Sequence, residues 1–287
     1  MKSMLILTDF SEQAFRAAEY ACELAGALNI KRIIVFHAYQ PANVIAVTPE
    51  ATPMRKDNRE VYLESMESLA LLQDRLKPLV AKDVNFGLEA GDTGLAGLPG
   101  WIRQKSQEEE IGLIVMGVSG NSGLEKFLVG STTAEILQKS ELPVLIVPED
   151  TFLGRGIQTI VFTADLTLVD TIPVAQLFEF LDAFPGKLHV VNADKKGKEN
   201  YSPEMQEAIT KLHNIFEKYD PAFNYITGDD TVDQILAFAR QQQAASLIIT
   251  VHEKKGFMSR LFNTSVTKKL AYNSNVPLLS FPAVKKK

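Results

Sequence analysis

Cysteine is nearly absent. Cys22 is the only one in 287 residues, so no disulfide can close within the chain, and a reducing location, the cytoplasm, is expected. Long apolar runs are missing too. None approaches the roughly 20 residues that a membrane-spanning helix needs. The opening MKSMLILTDF has one lysine and too few apolar residues for a secretory signal core, so no targeting segment is expected. There is no basic block. A net charge of -5 argues against nucleic acid as the main partner, and the lysines at 285–287 read as a solubilising tail. The four histidines, His37, His189, His213 and His252, have no cysteine, histidine or carboxylate at metal-ligand spacing. Neither a G-x-x-x-x-G-K-[ST] phosphate loop nor a G-x-S-x-G nucleophile elbow occurs.

What is present is alternation. Short apolar runs at 4–7, 32–37, 84–88, 113–116 and 144–147 are separated by helix-like stretches at 12–28, 58–80, 98–107 and 132–139. The order recurs with strands at 159–162, 188–191, 223–226, 247–251 and 278–281, and helices at 171–183, 203–218, 232–242 and 265–273. Continuous apolar strands alternating with helices predict an α/β fold with a parallel sheet covered on both faces. The halves echo each other in order: LILTDFS answers IVFTADLT, GLIVMGVSG answers SLIITVHEK, and LPVLIVP answers VPLLSFP. The polar stretch PEDTFLGRG at 148–156 marks the join, which divides the chain into domains at 1–150 and 151–287.

The segment M-G-V-S-G-N-S-G-L-E-K-F-L-V-G-S-T-T from Met116 concentrates the chemistry. Gly117 and Gly120 close the fourth strand, where a missing Cβ lets the backbone turn and a ligand approach. Gly130, Ser131 and Thr132 open the next helix, whose free N–H groups and partial positive charge suit an anion. His37, near this place, reads as a packed structural residue rather than a catalytic one. Cys22 reads as an inert core residue, and Trp101 as a packing anchor. Residues 91–100, GDTGLAGLPG, read either as a plain turn or as an edge of the site.

The spacing G-x2-G-x9-G-[ST], with Asp9 in TDFS and the LPVLIVP strand, resembles the universal stress protein family in its ATP-binding branch. The likeness runs through both halves. It implies two tandem, doubly wound, five-stranded parallel-sheet domains of the Rossmann-like, adenine nucleotide alpha hydrolase-like type. It also implies a stress-response sensor or regulatory module that binds ATP, with magnesium accompanying the phosphates. By the same resemblance Asp9 meets the nucleoside and the Ala38 backbone the adenine. Met116, Gly117 and Gly120 form the ribose and phosphate turn, and Gly130, Ser131 and Thr132 the triphosphate cradle. The two domains would pack as an internal pseudo-dimer through their last strands, and a homodimer of chains is a further possibility.

In the second half Asp165 matches Asp9, but the glycines are gone. Alignment on the helix after the loop puts Thr250 at Gly117 and Glu253 at Gly120, so this half is expected not to bind ATP. Its loop holds His252, Lys254, Lys255 and Arg260, which read either as a solvated surface or as a place for another anion near Thr264 and Ser265. Two functions compete with a binding module: a slow ATP hydrolase, for which no water-activating residue stands out, and an interaction scaffold that binds no nucleotide.

Overall fold

The computed structural model describes residues 2–39, 58–93, 97–118, 131–195, 201–242, 245–253, 267, 270, 274 and 276–285. The first half runs β1 (Ser3–Leu7), α1 (Glu12–Ala25), β2 (Arg32–Tyr39), α2 (Asn58–Leu76), β3 (Asn85–Asp92), α3 (Gly97–Glu109), β4 (Ile111–Val118), α4 (Ser131–Lys139) and β5 (Val144–Pro148). The second runs β6 (Thr159–Thr163), α5 (Val174–Ala183), β7 (Lys187–Asp194), α6 (Pro203–Phe216), β8 (Ala222–Thr227), α7 (Thr231–Gln241), β9 (Ala245–His252) and β10 (Leu278–Pro282). The helix expected at 265–273 falls largely outside the described residues.

One ten-stranded sheet results, in the order β3-β2-β1-β4-β5-β10-β9-β6-β7-β8. Every pairing within a half is parallel, so the fold is α/β with two tandem doubly wound five-stranded units. The halves meet where β5 and β10 pair antiparallel, Leu145 opposite Leu279 and Ile146 opposite Leu278. All four of these side chains are buried. Side chains alternate between the two faces of each strand. One face packs on α1, α2, α5 and α6, the other on α3, α4 and α7.

Local chemistry sets several helix starts. The Ser11 hydroxyl accepts from the Ala14 N–H and caps α1, and Asp230 caps α7 through the N–H groups of Val232 and Asp233. The helix read at 171–183 begins later, at Val174. Pro173 forces Ile172 into an extended conformation (φ -62, ψ 126), and residues 169–171 form only a short 3-10 turn. The join after β5 lies against α1: the Gly154 N–H donates to Glu23 Oε1 at 2.8 Å, and Gln13 Nε2 donates to Glu149 at 3.1 Å. Of the glycine-rich stretch at 91–100, Gly91 and Asp92 end β3 and residues 97–100 make the first turn of α3, while 94–96 lie outside the described residues.

Equivalent positions of the halves differ in the core. Ile34 pairs with Leu5 in β2, and His189 pairs with Val161 in the same place of β7. Burial, with Lys187 adding to it, pushes the His189 imidazole below its usual pKa. Asn224 and the Phe238 ring are its described neighbours. The unfolded chain therefore takes up this proton more readily than the folded one. Stability from this site is full above about pH 6.5 and is lost as pH falls below it. His189→Ile, which copies the first half, is expected to flatten the fall in urea midpoint between pH 7 and 5. An unchanged pH profile would show that other groups dominate.

Candidate functional site

The strand order turns around between β1 and β4, because β2 and β3 lie to one side and β5 to the other. In open parallel sheets such a reversal leaves a crevice beyond the carboxyl ends of the strands. The ends of β1, β2 and β4 and the start of α4 belong to that place.

Asp9 follows β1 directly. Its Oδ1 accepts from the Ser11 N–H at 3.0 Å and from the Ser11 hydroxyl at 2.5 Å, while Oδ2 has no hydrogen-bond partner among the described residues. Burial alone would raise its pKa. The Ser11 hydrogen bonds, and the charge that His37 can carry, outweigh burial and hold the carboxyl below the usual carboxylate range. Asp9 is thus an exposed carboxylate directly after β1, with one oxygen engaged by Ser11.

His37 is bound to a different task. Its Nδ1 lies 2.8 Å from the Thr8 carbonyl, so that nitrogen carries the proton and ties the end of β2 to the end of β1. In the second half Asn192 Nδ2 donates to the Ala164 carbonyl at 2.9 Å and does the same work without an imidazole. The structural reading of His37 follows from this replacement. Phe10, which the sequence did not single out, has a left-handed backbone (φ 64) and sets its half-exposed ring 4.4 Å from that of His37. Such a conformation in a bulky residue is strained, and strain of this kind gathers at ligand-binding turns.

Ala38 is exposed at the end of β2, in register with Gly91. Met116 is buried on the α3 and α4 side of the sheet. Ser131 begins the nine-residue α4, and Thr132 is exposed in its first turn. Gly120 and Gly130 lie outside the described residues. Trp101 stacks on Phe36 at 3.6 Å, a packing role. Cys22 is buried in α1 and its thiol is pushed up to about 12 by burial first and by Glu19 and Glu23 next, which makes it unreactive.

Gly117 requires a different explanation from the one its sequence position suggests. A Cβ there would run into the Gln13 carbonyl and come within 2.8 Å of the Ala14 nitrogen. The glycine exists because the first turn of α1 sits directly on β4. Strand register also corrects the match between the halves. Met4 pairs with Leu113 and Ile160 with Leu247, which makes Thr250 the counterpart of Met116 and Val251 the counterpart of Gly117. The same offset holds beyond the loop, where Ser140 bonded to the Leu142 carbonyl answers Ser274 bonded to that of Val276, so the match made from the following helix is one residue out.

The sequence model of the universal stress protein family matches residues 1–148. The chain belongs to the universal stress protein family. Two universal stress proteins of Methanocaldococcus jannaschii are similar to about half of it. One is 26% identical over 147 residues, 51% of this chain and 81% of the relative. The other is 25% identical over 153 residues, 51% of this chain and 94% of the relative. The crystal structure of a universal stress protein from Archaeoglobus fulgidus shares the fold over the full length: TM-score 0.72, 17% identity, 98% of each chain covered. Among the described residues no helix is long and apolar enough to cross a membrane, and no group of three or more ligating side chains could hold a metal ion.

Proposed function

We propose that the first half of this universal stress protein binds ATP and that the chain is a stress-response regulatory module of the cytoplasm. The observation that carries this reading is the meeting of Asp9, with its open Oδ2, the exposed end of β2 at Ala38 and the N-terminus of α4 around one sheet reversal. Asp9 would take a nucleoside hydrogen-bond donor, and the Ala38 backbone would meet the base. Met116 and Gly120 would border the ribose and phosphates, with Gly117 acting by letting α1 close in. Gly130, Ser131 and Thr132 would cradle the triphosphate. Magnesium would be held by phosphate oxygens and water.

The division at 1–150 and 151–287, an internal pseudo-dimer through β5 and β10, and a possible homodimer of chains complete the proposal. ATP regulates such a protein only through different affinity for two of its states. Hydrolysis is the weaker reading, since His37 is held by the Thr8 carbonyl and Asp9 stands at the nucleoside end.

Calorimetric titration with ATP and magnesium is expected to give one site per chain, lost in Gly130→Glu, which puts a carboxylate in the cradle. Phosphate release should stay well below about 1 per second. Absence of heat from folded, nucleotide-free protein would sink the proposal.

A further inference from the structure

The sheet ends on β3 at one side and on β8 at the other, and among the described strands each has a neighbour on one side only. Such an edge presents a row of backbone donors and acceptors to any further strand. Strand register makes the two edges comparable. Ile34 pairs with Gly87, and His189, in the same place of β7, pairs with Ala222. Counting on from there, Asn224 takes the place of Glu89, Ile226 that of Gly91 and Thr227 that of Asp92.

The first edge is guarded. Glu89 is bound to Lys105 at 2.7 Å, and Lys105 also meets Glu109, which pairs with Arg32. Gly87 and Gly91 weaken the strand as a partner for another. Charge and poor strand formers along an edge are the ordinary protection against pairing between molecules. β8 has none of it. Its sequence, AFNYIT, has no charge and no glycine, and Pro221 precedes the strand without interrupting it. Aromatic and β-branched side chains at 223 and 225–227 favour an extended pair.

The Gly228 N–H donates to the Asp194 carbonyl of β7. Backbone groups alternate in direction along a strand, so those of Phe223, Tyr225 and Thr227 point away from β7. An antiparallel pair made by a two-fold axis through the sheet keeps each helix layer on its own side, and a central residue then faces its own copy. Charges at the strand ends decide which residue that is. With Phe223 at the centre, Glu217 approaches the partner's Asp229. With Tyr225 there, Asp220 approaches the partner's Asp230. With Asn224 there, Lys218 approaches the partner's Asp230, and Phe223 faces the partner's Tyr225, a favourable cross-strand pair. Only the last is free of repulsion.

We propose that β8 pairs antiparallel with β8 of a second copy of this chain, centred on Asn224, joining two ten-stranded sheets into one. This rests on the homodimer proposed above and gives it a surface. The six residues of the strand span about 20 Å, a short contact, so the pair is weak and forms in the micromolar range.

Sedimentation of the full chain over a range of concentrations is expected to show a monomer–dimer equilibrium. Ala222→Lys with Thr227→Lys changes two exposed positions of the strand and should weaken dimerisation at least tenfold. The urea midpoint, measured where both proteins are monomers, should not move. Asn224→Cys reads the register. Cα atoms of such a central pair stand about 4.5 Å apart, within reach of a disulfide, and the native Cys22 is buried. Mild oxidation should give a covalent dimer of this variant and none of Asn85→Cys, on the other edge. A monomer at all concentrations overturns the homodimer and this surface together. A dimer that the two lysines leave intact, that Asn224→Cys fails to cross-link, or that Asn85→Cys cross-links equally well overturns this surface alone.

Discussion

Gly117→Ala is expected to destabilise the protein by about 1–3 kcal/mol, a large loss for the addition of one methyl group. The new Cβ meets backbone, the Gln13 carbonyl and the Ala14 nitrogen, which cannot swing aside as a flexible side chain would. Relief requires α1 to lift from β4, and α1 is fixed by a face of fully buried alanines, Ala17, Ala18 and Ala21. The same turn carries Ser11 and so orients Asp9. ATP affinity should therefore fall along with stability. Gly26→Ala is the control. A Cβ at Gly26 would have nothing within 4 Å, and the backbone there is already helical (φ -65). Restricting the unfolded chain at that position should stabilise by about 0.4–1 kcal/mol. Urea unfolding of both variants measures the contrast, and equal effects would refute the close-approach explanation.

Leu279→Asp is expected to cost about 4–6 kcal/mol, more than any of the other substitutions. Leu279 is fully buried in β10 opposite Leu145 of β5, at the only antiparallel pairing among the described strands. A carboxylate there loses its water and gains no partner, so its pKa rises and the damage grows from acid toward neutral pH. Leu279→Ala removes volume without adding charge, and about 2–5 kcal/mol is expected. Thermal unfolding of both at pH 5 and pH 8 separates charge from cavity: only the aspartate variant should worsen as pH rises. A mild, pH-independent effect of the aspartate would mean that β5 and β10 are not the seam between the halves.

The elements were legible because each reports a simple periodicity. Strands buried on both faces read as continuous apolar runs, and the amphipathic helices between them carry caps such as Ser11 and Asp230. The duplication was legible in ordered echoes, with Asp9 and Asp165 both accepting from the hydroxyl two residues on. Of the site, the position of Asp9 at a strand end and of Ser131 at a helix start could be read directly. That His37 is structural could be read too, but its bond to the Thr8 carbonyl and the Phe10 ring beside it could not, since each depends on a neighbour brought by another strand. A histidine and an asparagine fulfil the same backbone tie at His37 and Asn192, so residue type gave no signal there.

The amino-acid sequence by itself determined the α/β alternation, its repetition and the family, because these rest on patterns within a few residues of one another. Tertiary structure decided what the patterns leave open. It showed that Gly117 answers to a helix backbone more than a hundred residues earlier, and that strand pairing aligns Val251 with it. It also showed that β8 is left at the sheet edge, with Asn224 and Thr227 where β3 has Glu89 and Asp92. Each of these is a matter of distance between segments far apart in the chain, and local propensity carries no information about such distances.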